Sequence, residues 1–164
     1  LDLIVRKMTL FDGSLFQQLM NRFNSNLEEN RAHAPLASLY VNWERQCESV
    51  YKMAIASREV LMQRGIEGVA LYATPFLMFL ASVAAAGFLL EQASVASGKL
   101  EHIKKENEVA ESDLQEFLAE NSEACFLDNK LKTAHYFVDV IVPETEALLA
   151  GARAQNYDAL DICL

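Results

Sequence analysis

The sequence predicts an all-α fold, in the form of an up-down four-helix bundle with an N-terminal helical stub. Only three prolines and six glycines interrupt the 164 residues, and most segments place apolar residues at steps of three and four. No segment alternates apolar and polar residues for long enough to predict a strand. Short connections between long helices favour antiparallel neighbours, which is why we expect an up-down bundle.

The first two predicted helices precede residue 30. One holds Leu1 to about Lys7, and the turn residues Asp12 and Gly13 end it. Ser14 is the predicted N-cap of the second helix. Its core-facing stripe consists of Leu15, Phe16, Leu19, Met20, Phe23 and Leu27. Because the chain opens on an apolar helix with no capping residue before it, we expect that it was cut from a longer chain.

The third predicted helix begins near Pro35, which suits a first helical turn because its missing N–H would be unpaired there. Gly65 is expected to end this helix. Its apolar stripe consists of Leu36, Tyr40, Trp43, Cys47, Val50, Ala54, Ser57 and Leu61. The opposite face is predicted to be solvated, since it carries Asn42, Glu44, Arg45, Glu48, Lys52, Arg58 and Glu59.

The fourth helix is predicted from about Ile66 to Ile103, with a kink or a restart at Pro75. A polar connection over residues 104–113 follows it. A fifth helical region is expected from Leu114 to Val142, with Pro143 at its kink or end and the short helix EALLAGARA behind. The core positions of the fifth region are Ala124, Leu127, Leu131, Ala134, Val138 and Ile141.

Residues 68–90 contain no charged side chain and are long enough to cross a bilayer as a helix. Glu67 and Glu91 border the segment, so the lysine and arginine bias of a spanning helix is missing. A small-residue face over residues 81–87 is expected to let another helix backbone come close. Since the amphipathic helices need a buried partner, we expect a central bundle helix, and a membrane span at 68–90 is the less favoured alternative.

Charge and cysteine content limit the partners. Fourteen basic residues face 23 acidic ones, a net charge of −9, whereas phosphate-backbone binding requires cations. We therefore expect no nucleic acid partner. Cys47, Cys125 and Cys163 are widely spaced and form no CxxC, so neither a disulfide framework nor a zinc site is predicted, and a reducing cytoplasm is the expected setting.

No motif predicts an active site. A di-iron bundle needs Glu-x-x-His pairs, and none of the three histidines (His33, His102 and His135) has a glutamate three positions before it. The sequence also lacks HExxH, GxSxG, GxGxxG and a P-loop. The acidic run ENEVAESDLQEFLAENSE is predicted to be a solvated linker and helix face. No metal-binding residue is therefore predicted.

A few single residues have two interpretations. His135 lies four residues before Asp139, a spacing that suits acid–base chemistry but more often gives an exposed helix pair. Cys47 is expected to be a buried core thiol instead of a nucleophile. Tyr40 and Trp43 are expected to be core or docking aromatics.

Three segments carry a family resemblance. They are LDLIVRK, GVALYATPFLMFLASVAAAGFLLEQASVAS and NKLKTAHYFVDVIVPETEALLAGA. In this order they resemble the carboxy-terminal portion of extended bacterial acyl-CoA dehydrogenases, including those similar to 3-methylthiopropionyl-CoA dehydrogenases. The matching positions are Gly68, Ala70, Leu71, Ala73, Thr74, Pro75, Leu90, Ala93, Ala96, Lys130, Leu131, Thr133, Ala134, Tyr136, Phe137 and Pro143. His135 and Val142 depart from the family pattern, which has arginine and leucine there.

The resemblance implies a two-level function. The parent would be an FAD-dependent enzyme that oxidises acyl-CoA to trans-2-enoyl-CoA and passes electrons to an electron-transfer flavoprotein. Leu1, Asp2, Leu3, Arg6 and Lys7 match the family segment that follows the catalytic glutamate, so that base would lie just upstream of Leu1. This chain would then contain no catalytic, cofactor-binding or metal residue.

The resemblance also implies domain limits and partners. Residues 1–13 would end the preceding dehydrogenase helical domain, and residues 14–164 would form a C-terminal bundle domain that packs on its own core or in a homo-oligomer. The alternative without an enzymatic parent is a stand-alone acidic helical module for protein interaction.

Overall fold

The structure, a computed structural model, describes residues 13–30 and 34–161. Every regular element in these ranges is helical and none is a strand, which confirms the all-α prediction. The predicted helix at Leu1 to Lys7, together with His33 and Cys163, lies outside the described residues.

Helix α1 spans Ser14–Asn30 and begins at the predicted residue. Met20, Phe23 and Leu27 are buried as expected. The predicted core position Leu15 is wrong, because its side chain is 46% exposed in the first turn, beyond the neighbouring helices. Asn26 is buried between the apolar positions, and its side chain is used in the site described below.

A 3-10 turn at Ala34–Leu36 leads into α2, which spans Ala37–Glu106 and is interrupted at Gly65. Gly65 has φ 69° and ψ −164°, a region that is essentially restricted to glycine. It divides α2 into a first arm, residues 37–64, and a second arm, residues 66–106. The predicted helix end at Gly65 is confirmed. The arms lie against each other, with the Trp43 side chain packed on Val83 and Gly87.

The second arm passes through Pro75 with helical dihedral angles on both sides, so the predicted restart there does not occur. A proline inside a helix costs one hydrogen bond and a steric clash. Ala73, Phe76 and Phe79 are buried around it, and this packing holds the arm in helical form despite that cost. The arm ends at Asn107, whose N–H donates to the Ile103 carbonyl at 3.1 Å.

The predicted fifth helical region is divided. A 3-10 turn at Glu111–Asp113 precedes α3, Leu114–Glu120, and α4 spans Ser122–Tyr136. Asn121 separates the two helices with an extended backbone, because its side chain accepts a hydrogen bond from the Ala124 N–H at 2.9 Å and caps α4. The predicted helical region from Leu114 therefore begins with two helices, separated at Asn121.

The chain stays helical past Pro143. A π-helical turn at Phe137–Ile141 joins α4 to α5, Val142–Ala147, and Pro143 lies in the first turn of α5. The segment EALLAGARA forms the end of α5 and a separate α6, Ala150–Arg153. A 3-10 turn at Asp158–Asp161 follows. The main core lies between α1, both arms of α2, and the helices from α4 to α5.

Candidate functional site

Trp43 is the centre of the interface between the two arms. Its indole Nε1 donates to the Val83 carbonyl at 2.8 Å, and its ring lies on Gly87. A Cβ at position 87 would be 2.5 Å from Trp43 Cζ2, so only glycine leaves room for the ring. The small-residue face was predicted to admit a helix backbone. At Gly87 it admits an aromatic side chain, because the indole fills the gap that glycine leaves.

Asn26 of α1 extends this interface with buried polar contacts. Its Nδ2 donates to the Gly87 carbonyl and to the Glu91 carboxylate, each at 3.3 Å. Tyr40 donates to Asn26 Oδ1 at 3.4 Å. Burial, with a smaller contribution from the charge of Glu91, raises the pKa of Tyr40 to about 12. The phenol therefore stays neutral near pH 7 and acts as a structural donor.

Gln46 joins the first arm to the π turn. Its Nε2 donates to the Val138 carbonyl at 3.2 Å. Within the turn the Val142 N–H donates to the Phe137 carbonyl, five residues back. In the same register the Val138 carbonyl would accept a hydrogen bond from the N–H of residue 143. Pro143 has no N–H to give. The Gln46 amide therefore supplies the donor that proline lacks. Its own Oε1 has no partner among the described residues.

Asn26 and Gln46 were not among the residues that the sequence singled out. The signal was present, since each polar side chain lies in an apolar helical stripe, between Phe23 and Leu27 and between Trp43 and Val50. A polar residue at a core position predicts a buried hydrogen bond but does not identify its partner.

His135 and Asp139 form a surface pair. The distance from His135 Nδ1 to Asp139 Oδ2 is 3.9 Å, and both side chains are almost half exposed. Asp139 also accepts a hydrogen bond from Asn42 of the first arm at 3.0 Å. Water competes for such a pair, so the geometry favours the structural interpretation over acid–base chemistry.

Cys47 is a buried thiol, as predicted. Its residue is 3% exposed within the main core. Burial raises the pKa of the thiol, and the negative charge of Glu44 adds to the effect. The thiolate needed for nucleophilic chemistry is therefore disfavoured at this position. Among residues 13–30 and 34–161, no cluster of three or more His, Cys, Asp or Glu residues has the geometry of a metal site.

The outward face of the second arm is apolar and open. We call it the outer face, and it consists of Ala70, Thr74, Leu77, Met78, Ala81, Ala85, Phe88, Gln92 and Val95. Met78, Phe88 and Val95 are 48%, 44% and 61% exposed. A helix that is buried all round was expected. The arm is instead buried mainly on its inner side, where α1, the first arm and the helices from α4 onward pack, and α4 reaches the outer face at the end where Lys130 donates to Gln92.

The same arm carries the segment that resembles a membrane span. By length and apolar composition α2 contains one stretch able to cross a bilayer, and 44% of that stretch is buried against the rest of the chain. Core helices of soluble proteins meet the same criterion, so the stretch by itself does not identify a membrane protein.

Comparison with known proteins places this fold in a family. A family model described as acetyl-CoA dehydrogenase C-terminal like matches residues 16–162. No curated protein and no solved structure gives a significant match to the chain. The matched range runs from the first turn of α1 to just past the last described turn. The chain therefore belongs to the acetyl-CoA dehydrogenase C-terminal-like family.

Proposed function

We propose that this chain is the non-catalytic C-terminal helical domain of an FAD-dependent acyl-CoA dehydrogenase, of the kind similar to 3-methylthiopropionyl-CoA dehydrogenases. The observation that carries the proposal is the family match over residues 16–162. In the parent, FAD would supply the acceptor for hydride from the β-carbon of the acyl thioester, and a base upstream of Leu1 would take the α-proton. Residues 1–13 end the preceding helical domain, and residues 14–164 form the added one.

The internal polar contacts support a structural role for the domain. The buried amides of Asn26 and Gln46 and the indole of Trp43 each donate to a backbone carbonyl of a neighbouring helix. Side chains used in this way fix the positions of helices, and they are not directed at a ligand. The domain would contribute to the enzyme by packing on its own core or within a homo-oligomer.

The described residues do not fit a flavin. The space enclosed between the arms, beside Val69 and Tyr72, has a volume of about 30 Å³, which suits a few water molecules at most. Three further concavities of the described chain, beside Arg45, Gln92 and Gln17, are open surface grooves. We therefore assign FAD to the upstream core of the parent and derive no chemical step from this chain.

The proposal includes the up-down arrangement of the helices. The two arms run in opposite directions from Gly65. Near the end of the second arm, Gln92 accepts a hydrogen bond from Lys130 at 3.0 Å, and near its start Tyr72 packs on Gly151. The later residues of the arm thus contact the earlier residues of the segment from α4 to α6, and the reverse. This order supports antiparallel packing of the second arm with the segment from α4 to α6.

The partners and setting of the parent follow from the same proposal. Electrons would pass from FAD to an electron-transfer flavoprotein, and the enzyme would work in the cytoplasm without nucleic acid and without a membrane span. The net charge of −9 supports the absence of a phosphate-backbone partner.

The test compares the full-length natural protein with a truncated version that ends before Ser14. The full-length protein is expected to copurify with FAD and to reduce an artificial electron acceptor with acyl-CoA. The truncated protein should retain the flavin spectrum but lose thermal stability or oligomeric state, since it lacks only a packing domain.

A full-length protein without bound flavin and without acyl-CoA oxidation would overturn the proposal. It would favour the alternative of a stand-alone acidic interaction module, for which the exposed outer face is the supporting observation. Extraction of the protein only with detergent would favour the membrane alternative.

A further inference from the structure

The outer face is unusual because it is exposed and uncharged over many turns. At about 100° per residue its members all lie within roughly 60° of the direction of Ala81. Between Glu67 and Lys99 the arm itself places no charged side chain on this face, and Lys130 of α4 reaches its end and donates to Gln92. Arg22 reaches its edge and stacks 4.8 Å from the centre of the Phe88 ring, and it leaves that ring 44% exposed. Apolar surface of this extent marks an interaction site.

The two ends of the outer face carry opposite charges. Glu67 precedes it and Lys99 follows it, and both side chains point to solvent on the same face of the helix. Neither makes an ion pair or a hydrogen bond with another described residue. A second helix in antiparallel orientation places Glu67 of one copy against Lys99 of the other, at both ends. A parallel orientation would place like charges together.

Three pairs of outer-face residues between the two charges match in the same register. A two-fold axis beside residue 83 pairs each residue of one copy with the residue of the second copy that lies equally far from position 83 on its other side. Met78 then meets Phe88, which is a favourable sulfur–aromatic combination. Thr74 meets Gln92, so a hydroxyl faces an amide. Ala81 meets Ala85 beside the axis, where small side chains allow close approach of the two helices.

We infer that the outer face pairs with the outer face of a second copy of this chain, as antiparallel second arms related by a two-fold axis beside residue 83. The partner is thus another molecule of the same protein and not the dehydrogenase core. The inference rests on the proposed function only in that it names which partner the packing domain contacts. An isologous contact of this kind is the commonest way in which soluble proteins form dimers.

The first experiment places a charge at the centre of the outer face of the full-length protein. Met78→Glu is expected to raise the dissociation constant of the dimer by at least tenfold, measured by sedimentation velocity across a dilution series. Ile55→Glu is the matched control, because Ile55 is 46% exposed on the first arm and Met78 is 48% exposed on the second. The control should leave the dissociation constant unchanged.

The second experiment exchanges the terminal charges. Glu67→Lys and Lys99→Glu should each weaken the dimer by about tenfold, because each creates two repulsive contacts across the axis. The double variant Glu67→Lys with Lys99→Glu restores opposite charges at both ends and should return the dissociation constant close to that of the natural protein. Both residues are exposed, so folding should be unaffected.

The third experiment reports the register directly, even if other interfaces keep the protein oligomeric. Thr74→Cys and Gln92→Cys are made together in a background with Cys125→Ser and Cys163→Ser. The two introduced thiols lie about 27 Å apart within one helix, at about 1.5 Å per residue, and cannot join within a chain. Mild oxidation should yield a covalent dimer only when both substitutions are present, because either thiol alone lies far from its own copy.

Two results would overturn the inference. The first is the absence of a covalent dimer, with no rescue by the double charge exchange. If Met78→Glu then loosens the domain from a flavin-containing core, measured by limited proteolysis, the core occupies the face and the proposed function stands. The second is that the natural protein sediments with phosphatidylcholine vesicles and that the cysteine variant forms no cross-linked dimer. This result would assign the face to lipid. Loss of flavin and of acyl-CoA oxidation would instead reject the proposed function, whatever the cross-link shows.

Discussion

The two arms of α2, residues 37–64 and 66–106, differ in length and in their outward surfaces. The first arm presents Tyr40 and Trp43 to the core and carries charged residues such as Glu48 and Arg58 on its outward side. The second arm presents both large side chains, such as Phe76 and Phe79, and small residues, such as Gly87, to the core. Its outward side, the outer face, is uncharged. The outward side of the first arm therefore mixes charged residues with exposed apolar ones such as Ile55, while the outward side of the second is an uninterrupted uncharged surface that the described residues leave largely open.

The two arms show that an amphipathic pattern and an all-apolar pattern require different surroundings. An amphipathic arm such as the first is satisfied by one core and by solvent. An arm that is apolar all round needs a second covering. The described residues provide only one, on the inner side of the second arm. Substitutions on the inner sides of the two arms should change the free energy of unfolding by different amounts, and the largest change is expected first.

The largest effect is expected at Trp43 on the first arm. Its side chain is fully buried, and its ring centroid lies 5.3 Å from that of Phe23. Trp43→Ala should lower the free energy of unfolding by about 3 to 5 kcal/mol, because the cavity on Gly87 cannot close completely. Chemical denaturation monitored by circular dichroism measures this.

Tyr51→Ala is the control for Trp43→Ala. Tyr51 lies on the same arm, is 46% exposed and should change the free energy by about 0.5 kcal/mol or less. Equal losses at the two positions would contradict the division of the first arm into a core side and a solvent side.

Alkaline pH should destabilise the same interface. Because the pKa of Tyr40 is raised from 10.0 to about 12, folding favours the protonated phenol. Its contribution is fully present below about pH 10 and is lost as the pH rises toward 12, a total of about 2 to 3 kcal/mol. The buried thiol of Cys47 acts in the same direction and starts near pH 9, since burial also raises its pKa.

Tyr40→Phe separates the two groups. The difference in unfolding free energy between the natural protein and this variant should be constant from pH 7 to 9. It should then shift in favour of the variant above pH 10. A difference that does not change with pH would show that the phenol is not held neutral by burial.

The inner side of the second arm is tested by its glycines. Gly87→Ala brings a Cβ within 2.5 Å of Trp43 Cζ2 and should cost about 1 to 2 kcal/mol, after the gain of about 1 kcal/mol in helix propensity is counted. Gly98→Ala meets no atom within 4 Å and should stabilise by about 0.5 to 1 kcal/mol. Melting temperatures of the two variants should therefore move in opposite directions, and parallel shifts would refute the close fit at Gly87.

The smallest effect concerns the link from the first arm to the π turn. Gln46→Met should cost about 1 kcal/mol, because Val138 loses its donor while the unpartnered Gln46 Oε1 is also removed. In a Pro143→Ala background the N–H of residue 143 becomes available to Val138, so the cost should fall. A double-mutant cycle measures this coupling. Additive effects would mean that the amide does not replace the missing N–H.

Much of the fold could be predicted from the sequence because its signals are local. The spacing of Met20, Phe23 and Leu27 gave the core side of α1, and Gly65 gave the break in α2, since its backbone angles suit only glycine. The two prolines were harder. Each lowers helix stability locally, but packing around Pro75 and the π turn before Pro143 keep both segments helical.

The candidate site was less predictable. The sequence indicated that Cys47 and Trp43 lie in the core, but it did not identify the fit of Trp43 to Gly87 or the donor that Gln46 gives to Val138. These pairs join residues from different helices. Their distances depend on how the helices pack, and periodicity along one helix contains no information on that.

The helical class, the break at Gly65 and most of the buried positions follow from the sequence alone, because backbone propensity and hydrophobic periodicity act over a few neighbouring residues. The burial of the second arm mainly on one side could be known only from the packed structure. How much of an apolar helix is buried depends on how many other segments reach it, and α1, the first arm and the helices from α4 onward pack mainly on one side of this arm. The open outer face is a result of that packing.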